Sequence, residues 1–429
     1  MANGHDEKDP KDLLDGLYAF AFEHDDSFSM PIEEIEEDLR SEGIDPDAVD
    51  RRAREALERL LGPKVYNLRK TESAAPAQAE LPLAVAETTA TPAWLFGRLG
   101  EIGLPKNFVR ERLLTSGMRS RLTALKAKGG AEARDLAAEI AEAVGRVYNW
   151  RPADLLGTGP LSVPTLAYGS ARFKMPTKAS DRKAVVYAAY AQYLAGLVLD
   201  ATADLPALPI PTDAREVRSD LEARYGGVSF ESALRYAWEL GVPVLPLADS
   251  GAFHGACWRR RGRNVIVLKQ QTRSPARWLF DFLHELRHAG EEPEAAERAV
   301  VEESETAEAR RTSAEEKAAS RFAGDVALAG RAEELAKACA EESRRSVERM
   351  KTTVVRVASR EGVPVDVLAN YLAFRLSLDC QNWWGAATNL QDFTFDPWLV
   401  SRDMVLERAD LARLDAADRE RLTSALGIE

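Results

Sequence analysis

The stretch SPARWLFDFLHELRHAG, residues 274–290, decides the fold of the central part of the chain. Ser274 followed by Pro275 predicts a helix start, because serine caps the free N–H groups of a first turn and proline suits its first position. Gly290 predicts the end of the same helix. The apolar residues in between would pack against the rest of the protein: Trp278, Leu279, Phe282, Leu283 and Leu286.

An H-E-x-x-H pattern, His284 to His288, lies inside this predicted helix. Residues four apart lie one above the other on a helix face, so both imidazoles can hold one metal ion. Glu285 lies one step away, where it can act on a water molecule at the metal. The chain has 5 histidines, and His254, His284 and His288 fall within 35 residues. The alternative is a pair of histidines on an exposed helix face.

Two apolar runs upstream of this helix predict strands. The runs are Val242–Leu245 and Asn264–Leu268, and the second follows a turn at Arg261-Gly262-Arg263. The basic run Arg259 to Arg261 is interpreted as a solvated hairpin tip. A strand, a short loop and an H-E-x-x-H helix, in that order, are typical of a zincin-type peptidase. We therefore expect a mostly α fold with a small β-sheet (α+β), in which helical domains flank a zincin-like metallopeptidase domain.

A catalytic zinc site needs a third protein ligand and an open position for water. Glu294 stands where an extended metzincin pattern has histidine, so that class is excluded. Between residues 291 and 316 there are 10 glutamates, so a carboxylate ligand is available. Most of this run, Glu291 included, is interpreted as a solvated acidic loop and helix, which is the usual meaning of a charge run.

Glu316 differs from the other glutamates in the residues that come after it. Small and apolar residues follow it at helical spacing: Ala319, Phe322 and Ala323. A helix with such a face can pack closely against the H-E-x-x-H helix. Ser320 lies one turn after Glu316 and can face the same way. Glu316 could bind the metal, and Ser320 could hydrogen-bond a ligand histidine.

The pattern His284 to His288, followed by Glu316-x-x-Ala319-x-x-Phe322-Ala323, resembles the ImmA/IrrE family of zinc metallopeptidases. The resemblance covers roughly residues 220 to 330, and includes Gly255 to Trp258 and Val265 to Leu268 as the strand region before the active-site helix. A weaker likeness to the helical tail of longer members runs from Val363 to Gln391. The resemblance implies that His284, His288 and Glu316 bind Zn²⁺ and that Glu285 is the general base.

Two positions depart from the common pattern of that family. Arg287 stands where members commonly have glycine, and could crowd the cleft or bind a substrate carboxylate. Ser320 stands where they commonly have asparagine or aspartate. His254, before the strand, could stabilise the oxyanion that forms when water attacks a peptide carbonyl, or could be a surface-loop histidine. No partner at a defined spacing marks Cys257 as a nucleophile or metal ligand.

The length of 429 residues suggests two to three domains. Composition shifts divide the chain further, because an Ala-, Pro- and Thr-rich stretch without apolar periodicity is typical of a linker. We predict an N-terminal helical segment, a linker, a helical domain, a zincin-like metallopeptidase domain and a C-terminal helical domain, at residues 1–70, 71–94, 95–170, 171–345 and 346–429 respectively.

The bulk properties predict a cytoplasmic protein without a membrane partner. The chain has 3 cysteines, an odd number that is widely spaced, which favours a reducing compartment. The charged N-terminus has no secretory signal, and no apolar run is expected to approach the length of a membrane span. The net charge of −12 disfavours general binding to polyanions.

One stretch, residues 104–128, is basic against this acidic background. It carries 7 cations and a single acid, Glu111; the cations are Lys106, Arg110, Arg112, Arg119, Arg121, Lys126 and Lys128. Residues 107–156 could be a diverged helix-turn-helix, which many ImmA/IrrE relatives carry, although no clean recognition helix is visible. The other interpretation is a helical scaffold with a solvated basic face.

Two functions follow from these observations. The resemblance implies a zinc-dependent endopeptidase that cleaves a specific protein partner, such as a repressor or antitoxin. The alternative is a DNA-binding transcriptional regulator or antitoxin-like protein, in which the zincin-like domain is a sensor or is inactive.

Overall fold

The computed structural model describes residues 91–125, 130–161, 179–249, 253–303, 313–344, 346–379 and 381–428. The predicted N-terminal segment and nearly all of the predicted linker lie outside the described residues, as do Lys126 and Lys128. All of the described residues belong to one compact unit. The domain boundaries that we placed within this unit stay predictions.

Every regular secondary-structure element that the structure describes before the sheet is a helix. Thr91 caps the first helix through its side chain, and a π-helical turn, Val109–Leu113, follows the second. The helices are α1 (Pro92–Glu101), α2 (Lys106–Phe108), α3 (Ser116–Ala124), α4 (Ala131–Tyr148), α5 (Pro152–Leu156), α6 (Ala179–Ala201), α7 (Ala214–Tyr225) and α8 (Phe230–Glu239).

Four strands form one mixed sheet among the described residues, in the order β1-β3-β2-β4. β1 runs parallel to β3, whereas β2 is antiparallel to both β3 and β4. The strands are β1 (Val244–Pro246), β2 (Phe253–Arg260), β3 (Arg263–Leu268) and β4 (Arg298–Glu303). A mostly helical fold with a small sheet was predicted, and the structure confirms it.

The hairpin between β2 and β3 turns at Arg261 and Gly262. Both residues have positive φ, 54° and 74°, which is the backbone of a two-residue hairpin turn. At the other end of β2 the pairing with β4 shifts between Phe253 and Ala256. This shift is a β-bulge, which breaks the regular alternation of side chains.

The sheet lies between two helices. Because side chains alternate along a strand, the two faces of β2 can be followed beyond the bulge. Trp258 packs against Phe253, whose ring contacts Tyr187 of α6, and Arg260 pairs with Asp200 at the end of α6. The opposite face of β2 meets α9 (Pro275–Ala289), the helix that carries the H-E-x-x-H pattern.

The predicted limits of α9 agree with the structure. The Ser274 side chain accepts a hydrogen bond from the N–H of Arg277, and Pro275 is the first helical residue. The helix ends at Ala289. Gly290 has φ −82°, so a left-handed turn is not what requires glycine there. A Cβ at this position would lie 2.8 Å from Cγ2 of Thr212, so glycine permits the close approach of the segment before α7.

Helix α10 (Ala314–Ala327) packs along α9. Ala319 and Ala323 are fully buried at the contact, as expected for small residues that let two helices approach. The remaining described elements are helical: α11 (Ala332–Glu342), α12 (Val347–Glu361), α13 (Val365–Leu378), α14 (Trp384–Thr388), α15 (Pro397–Arg408), a 3₁₀ turn (Leu411–Arg413) and α16 (Ala416–Ala425).

Two sequence-based expectations about this region are corrected. The acidic run after α9 is not all loop and helix, because β4 occupies residues 298–303 and extends the sheet. In addition, one apolar run does reach the length of a membrane span. The stretch Lys183–Ala201 of α6 is 19 residues long, but 72% of its most apolar segment is buried inside the protein. This helix packs on the sheet.

Arg259 is the third correction, since it belongs to the interior and not to a solvated hairpin tip. The residue is only 3% exposed. Its guanidinium donates to four main-chain carbonyls at the end of α9 and in the following turn, those of Ala289, Glu291, Glu292 and Ala295. Ala289 is the last residue of α9, where carbonyls lack partners within the helix. The other three carbonyls belong to the following turn, so Arg259 ties this turn to the helix end.

Candidate metal centre

Three side chains from α9 and α10 converge beside the sheet. Nε2 of His284 lies 3.1 Å from Nε2 of His288 and 3.1 Å from Oε2 of Glu316. Nε2 of His288 lies 3.4 Å from Oε1 of Glu316. The two histidines are 4% and 1% exposed, so the three side chains form a nearly buried group, here called the triangle.

The size of this triangle fits a metal ion. Zinc binds histidine nitrogen and carboxylate oxygen at about 2.0–2.2 Å, so tetrahedral ligands lie about 3.3–3.5 Å apart. The separations of 3.1–3.4 Å in the triangle are close to this value. Two imidazoles and one carboxylate are also a known donor set for catalytic zinc, which leaves one position for water. His284, His288 and Glu316 could therefore hold a metal ion.

The register of α10 brings Glu316, and not Glu315, to the histidines. Ser313 caps this helix by accepting a hydrogen bond from the N–H of Glu316, which fixes the start of the first turn. Glu315 is exposed, as expected when adjacent residues point about 100° apart. Oγ of Ser320 lies 3.4 Å from Nδ1 of His284. This is the ring nitrogen that faces away from the triangle.

Glu285 is fully buried between α9 and β2. Gly255 of β2 makes room for it, because a Cβ at this position would lie 2.8 Å from Cγ and Cδ of Glu285. Cys257 lies on the same face of β2. Burial and the nearby Glu285 raise the pKa of the Cys257 thiol to about 12, so it stays protonated at neutral pH.

His254 lies at the bulge of β2, immediately before Gly255, and is partly exposed. Its main-chain carbonyl accepts a hydrogen bond from the N–H of Lys269. His254 therefore belongs to β2, next to Gly255, which makes room for Glu285, and does not lie in a surface loop. An oxyanion-stabilising role for its side chain stays a prediction.

The charges in the triangle support one another. Burial by itself lowers the pKa of His288, but hydrogen bonds to Glu291 and Glu316 outweigh it and raise this pKa to about 10 in the absence of a metal. Burial favours the neutral form of Glu316, yet hydrogen bonds to His284 and His288 hold its pKa well below the usual range. A metal ion would have to displace a proton from His288, so metal binding should release protons.

Sequence reasoning missed Glu291, which it assigned to the solvated acidic run. Oε2 of Glu291 lies 3.4 Å from Nδ1 of His288 and accepts a hydrogen bond of 2.6 Å from Arg298 of β4. Oε1 accepts a hydrogen bond of 2.8 Å from Arg287. The spacing of three residues from His288 was the available signal, because the turn after α9 bonds the N–H of Glu291 to the carbonyl of His288 and so brings the two residues together.

Arg287, one of the two residues that depart from the family pattern, lines a cleft that none of the three triangle residues lines. Arg287 also bonds Glu291, and the cleft is a shallow one of about 550 Å³ between α7, α9 and α10. Arg218, Arg321 and Asp325 line the same cleft. The structure therefore gives Arg287 a partner within the chain, at the end of its own helix.

The described part of the basic stretch is spread over three short helical elements: α2, the π-helical turn and α3. Arg112 bonds Asp249, and Arg121 pairs with Glu139 of α4 at 2.6 Å. Arg119 donates to the carbonyl of Leu114 at 2.9 Å, and Lys106 lies over the ring of Phe96. Its predicted helix-turn-helix identity stays a prediction.

Comparison with known protein families places the site in context. Residues 239–373 match the family model described as Peptidase M78, IrrE N-terminal-like domain. This region, about a third of the chain, is therefore similar to the ImmA/IrrE family. Neither the curated proteins nor the solved structures gave a significant match to the chain.

The matched region contains the whole candidate centre. It begins at the last residue of α8, includes all four strands with α9 and α10, and ends within α13. The resemblance drawn from the sequence is thereby confirmed, and the match also enters the segment where we noted the weaker likeness. The IrrE-like region is of a metallopeptidase type, which agrees with a His-His-Glu group able to hold a metal.

Proposed function

We propose that this protein is a zinc-dependent endopeptidase that cleaves a specific protein partner. The observation that carries the proposal is the triangle of His284, His288 and Glu316, with Glu285 held beside it on the same helix. An IrrE-like metallopeptidase region around these residues supports it. The buried surroundings suit catalysis, because charges act more strongly where water is excluded.

In this proposal His284 and His288 bind Zn²⁺ through Nε2, and Glu316 binds it through its carboxylate. Bound zinc acts as a Lewis acid that polarises a water molecule and the substrate carbonyl. Ser320 contacts the other nitrogen of the His284 ring and helps to orient it. The three ligands come from two packed helices, so their positions are set by the core and not by a loop.

Glu285 is the proposed general base. A carboxylate next to the ligands can accept a proton from the attacking water and pass it to the leaving amine. The small residue Gly255 lets this carboxylate lie against β2, which holds it in place. His254, on the neighbouring position of the same strand, is the proposed side chain that steadies the developing oxyanion.

The proposed substrate is a protein partner in the cytoplasm, such as a repressor or antitoxin. Support for this comes from the family resemblance and from the sparse cysteines of the chain. We prefer this function to the DNA-binding regulator because the residues of the site are specific in type and position. Several cations of the basic stretch have partners within the protein.

The test is cleavage of proteins encoded near this one, by zinc-loaded enzyme and by matched variants. Glu285→Gln should keep zinc and lower the cleavage rate by about 10²–10⁴-fold, the usual contribution of a general base. Glu315→Gln, which changes an exposed glutamate on α10, should cleave like the wild type. Cleavage that is unaffected by Glu285→Gln would overturn the proposed mechanism.

A further inference from the structure

The two histidines of the triangle differ in what holds the ring nitrogen that faces away from it. Nδ1 of His284 meets the hydroxyl of Ser320, whereas Nδ1 of His288 meets the carboxylate of Glu291, each at 3.4 Å. A hydroxyl can donate or accept, so it leaves the tautomer open. An ionised carboxylate only accepts, so it selects the ring form with the proton on Nδ1 and the lone pair on Nε2.

Glu291 is itself fixed by two arginines. Arg298 of β4 donates to Oε2 of Glu291 and, with its other terminal nitrogen, to the carbonyl of His288, both at 2.6 Å. One guanidinium thus ties the carboxylate to the backbone of the residue whose ring it contacts. Arg287 donates to Oε1 at 2.8 Å, so both carboxylate oxygens are engaged.

The turn that carries Glu291 is anchored to the sheet as well. Arg259 of β2 binds four carbonyls between residues 289 and 295, including that of Glu291 at 2.9 Å. Arginines from two neighbouring strands therefore hold the main chain of this turn and the side chain of Glu291. Such support restricts where the carboxylate can lie relative to His288.

We infer that Glu291 is a positioning residue that orients His288 for metal binding, with Arg287 and Arg298 holding its carboxylate in place. The inference rests on the proposed function, because it assigns His288 as a zinc ligand. It also gives a role to Arg287, one of the two departures from the family pattern. The residue acts through Glu291 at the helix end, and not through the substrate.

The test measures metal affinity and ligand geometry in purified full-length protein. Zinc affinity is determined by competition with a chelator for the wild type, Glu291→Ala, Glu291→Gln and the control Glu294→Gln. Glu294 is an exposed glutamate of the same acidic turn. We expect zinc to bind about 10- to 100-fold more weakly to Glu291→Ala, as for other carboxylates that orient a ligand histidine. The zinc affinity of Glu291→Gln should lie between those of the wild type and Glu291→Ala, because the amide oxygen can still accept a hydrogen bond from Nδ1–H of His288.

A second readout separates positioning from simple stabilisation. Co²⁺ substituted for zinc has visible absorption bands that report its ligand geometry, and these bands should shift in Glu291→Ala but not in Glu294→Gln. If Glu291 only supports the turn, Glu291→Ala will lower the melting temperature of the metal-free protein while zinc affinity and the Co²⁺ spectrum stay unchanged. That result would overturn the inference.

Two other outcomes are also decisive. If Glu291→Ala loses zinc as completely as Glu316→Ala does, Glu291 is a ligand and the inference is wrong. If the wild type binds no zinc, or binds it equally well after His284→Ala and His288→Ala, the proposed function itself fails. Zinc binding that needs both histidines, with Glu291→Ala indistinguishable from the control, rejects the positioning role alone.

Discussion

The H-E-x-x-H centre and the basic stretch at residues 104–128 are the two regions where the sequence suggested a function. In the centre, side chains 28 to 32 residues apart come together with their ligand atoms within 4.8 Å of one another. In the basic stretch, charges that are close in sequence diverge over separate short elements, and several of them bind carboxylates or carbonyls of the same chain. Residue type and spacing therefore predicted side chains that meet at one site. Charge alone predicted a binding surface, although several of its cations have partners within the protein.

The largest effect that would sharpen this contrast concerns the third ligand. Glu316→Ala should weaken zinc binding by more than the ~10- to 100-fold that is typical of outer residues, because a direct ligand is lost. Glu315→Ala should bind zinc like the wild type, since this side chain is exposed one position away. Chelator competition measures both. A stronger loss in Glu315→Ala would show that the assigned register of α10 is off by one.

A smaller effect is expected from the glycine that makes room for the base. Gly255→Ala places a Cβ 2.8 Å from Cγ and Cδ of Glu285, so the carboxylate must move away from β2. Zinc should be retained while cleavage falls by about tenfold or more, since misplacing a base by about 1 Å can cost up to ~10²-fold. Gly227→Ala, whose Cβ would meet nothing within 4 Å, is the control. Equal cleavage by the two variants would speak against this position of Glu285.

The charge of the triangle predicts a pH dependence of stability. Without metal, burial lowers the pKa of His288, but its carboxylate partners raise it to about 10, above the unfolded value of about 6.5. Protonated His288 therefore stabilises the metal-free protein fully below pH ~6.5, and this contribution is lost as the pH rises through about 10. Zinc keeps the ring neutral, so the zinc-bound protein should lack this loss. Unfolding free energies across this range, with and without zinc, test the difference; identical curves would contradict it.

The smallest effect is expected in the basic stretch. If these cations serve the fold, the wild type should show no salt-sensitive DNA binding. The double variant Arg119→Ala, Arg121→Ala should then cleave like the wild type. If they contact DNA, affinity should fall steeply with salt and weaken further in the double variant. Binding to a DNA fragment at two salt concentrations distinguishes these cases. Sequence-specific binding, together with no cleavage of any neighbouring protein, would reverse our preference.

The start and end of α9 could be predicted from the sequence because their signals are local. Ser274, Pro275 and Gly290 lie within the turn that each one defines. The same holds for β3, whose apolar run and flanking turn are contiguous in the chain. Glu316 could also be selected among 10 glutamates, since the small residues behind it predicted a close helix contact.

Two of the features that were missed, β4 and the burial of Arg259, depend on partners far away in the chain. β4 lies in an acidic run and becomes a strand only by pairing with β2, about forty residues earlier. Arg259 is buried because its acceptors are main-chain carbonyls at the end of α9, which have no sequence signature. Glu291 was interpreted as a solvated glutamate because its sequence context is acidic. In the structure, Arg287 and Arg298 bind its carboxylate. Gly255, a lone glycine in a strand, was a usable signal of close approach that we did not interpret.

Metal analysis of the purified protein tests the central claim most directly. The account predicts close to one equivalent of zinc in the wild type and in Glu285→Gln, and loss of that zinc in His284→Ala and His288→Ala. The two histidine variants remove a ligand from the triangle, whereas Glu285→Gln changes only the neighbouring base. Full retention of zinc by both histidine variants would contradict the account.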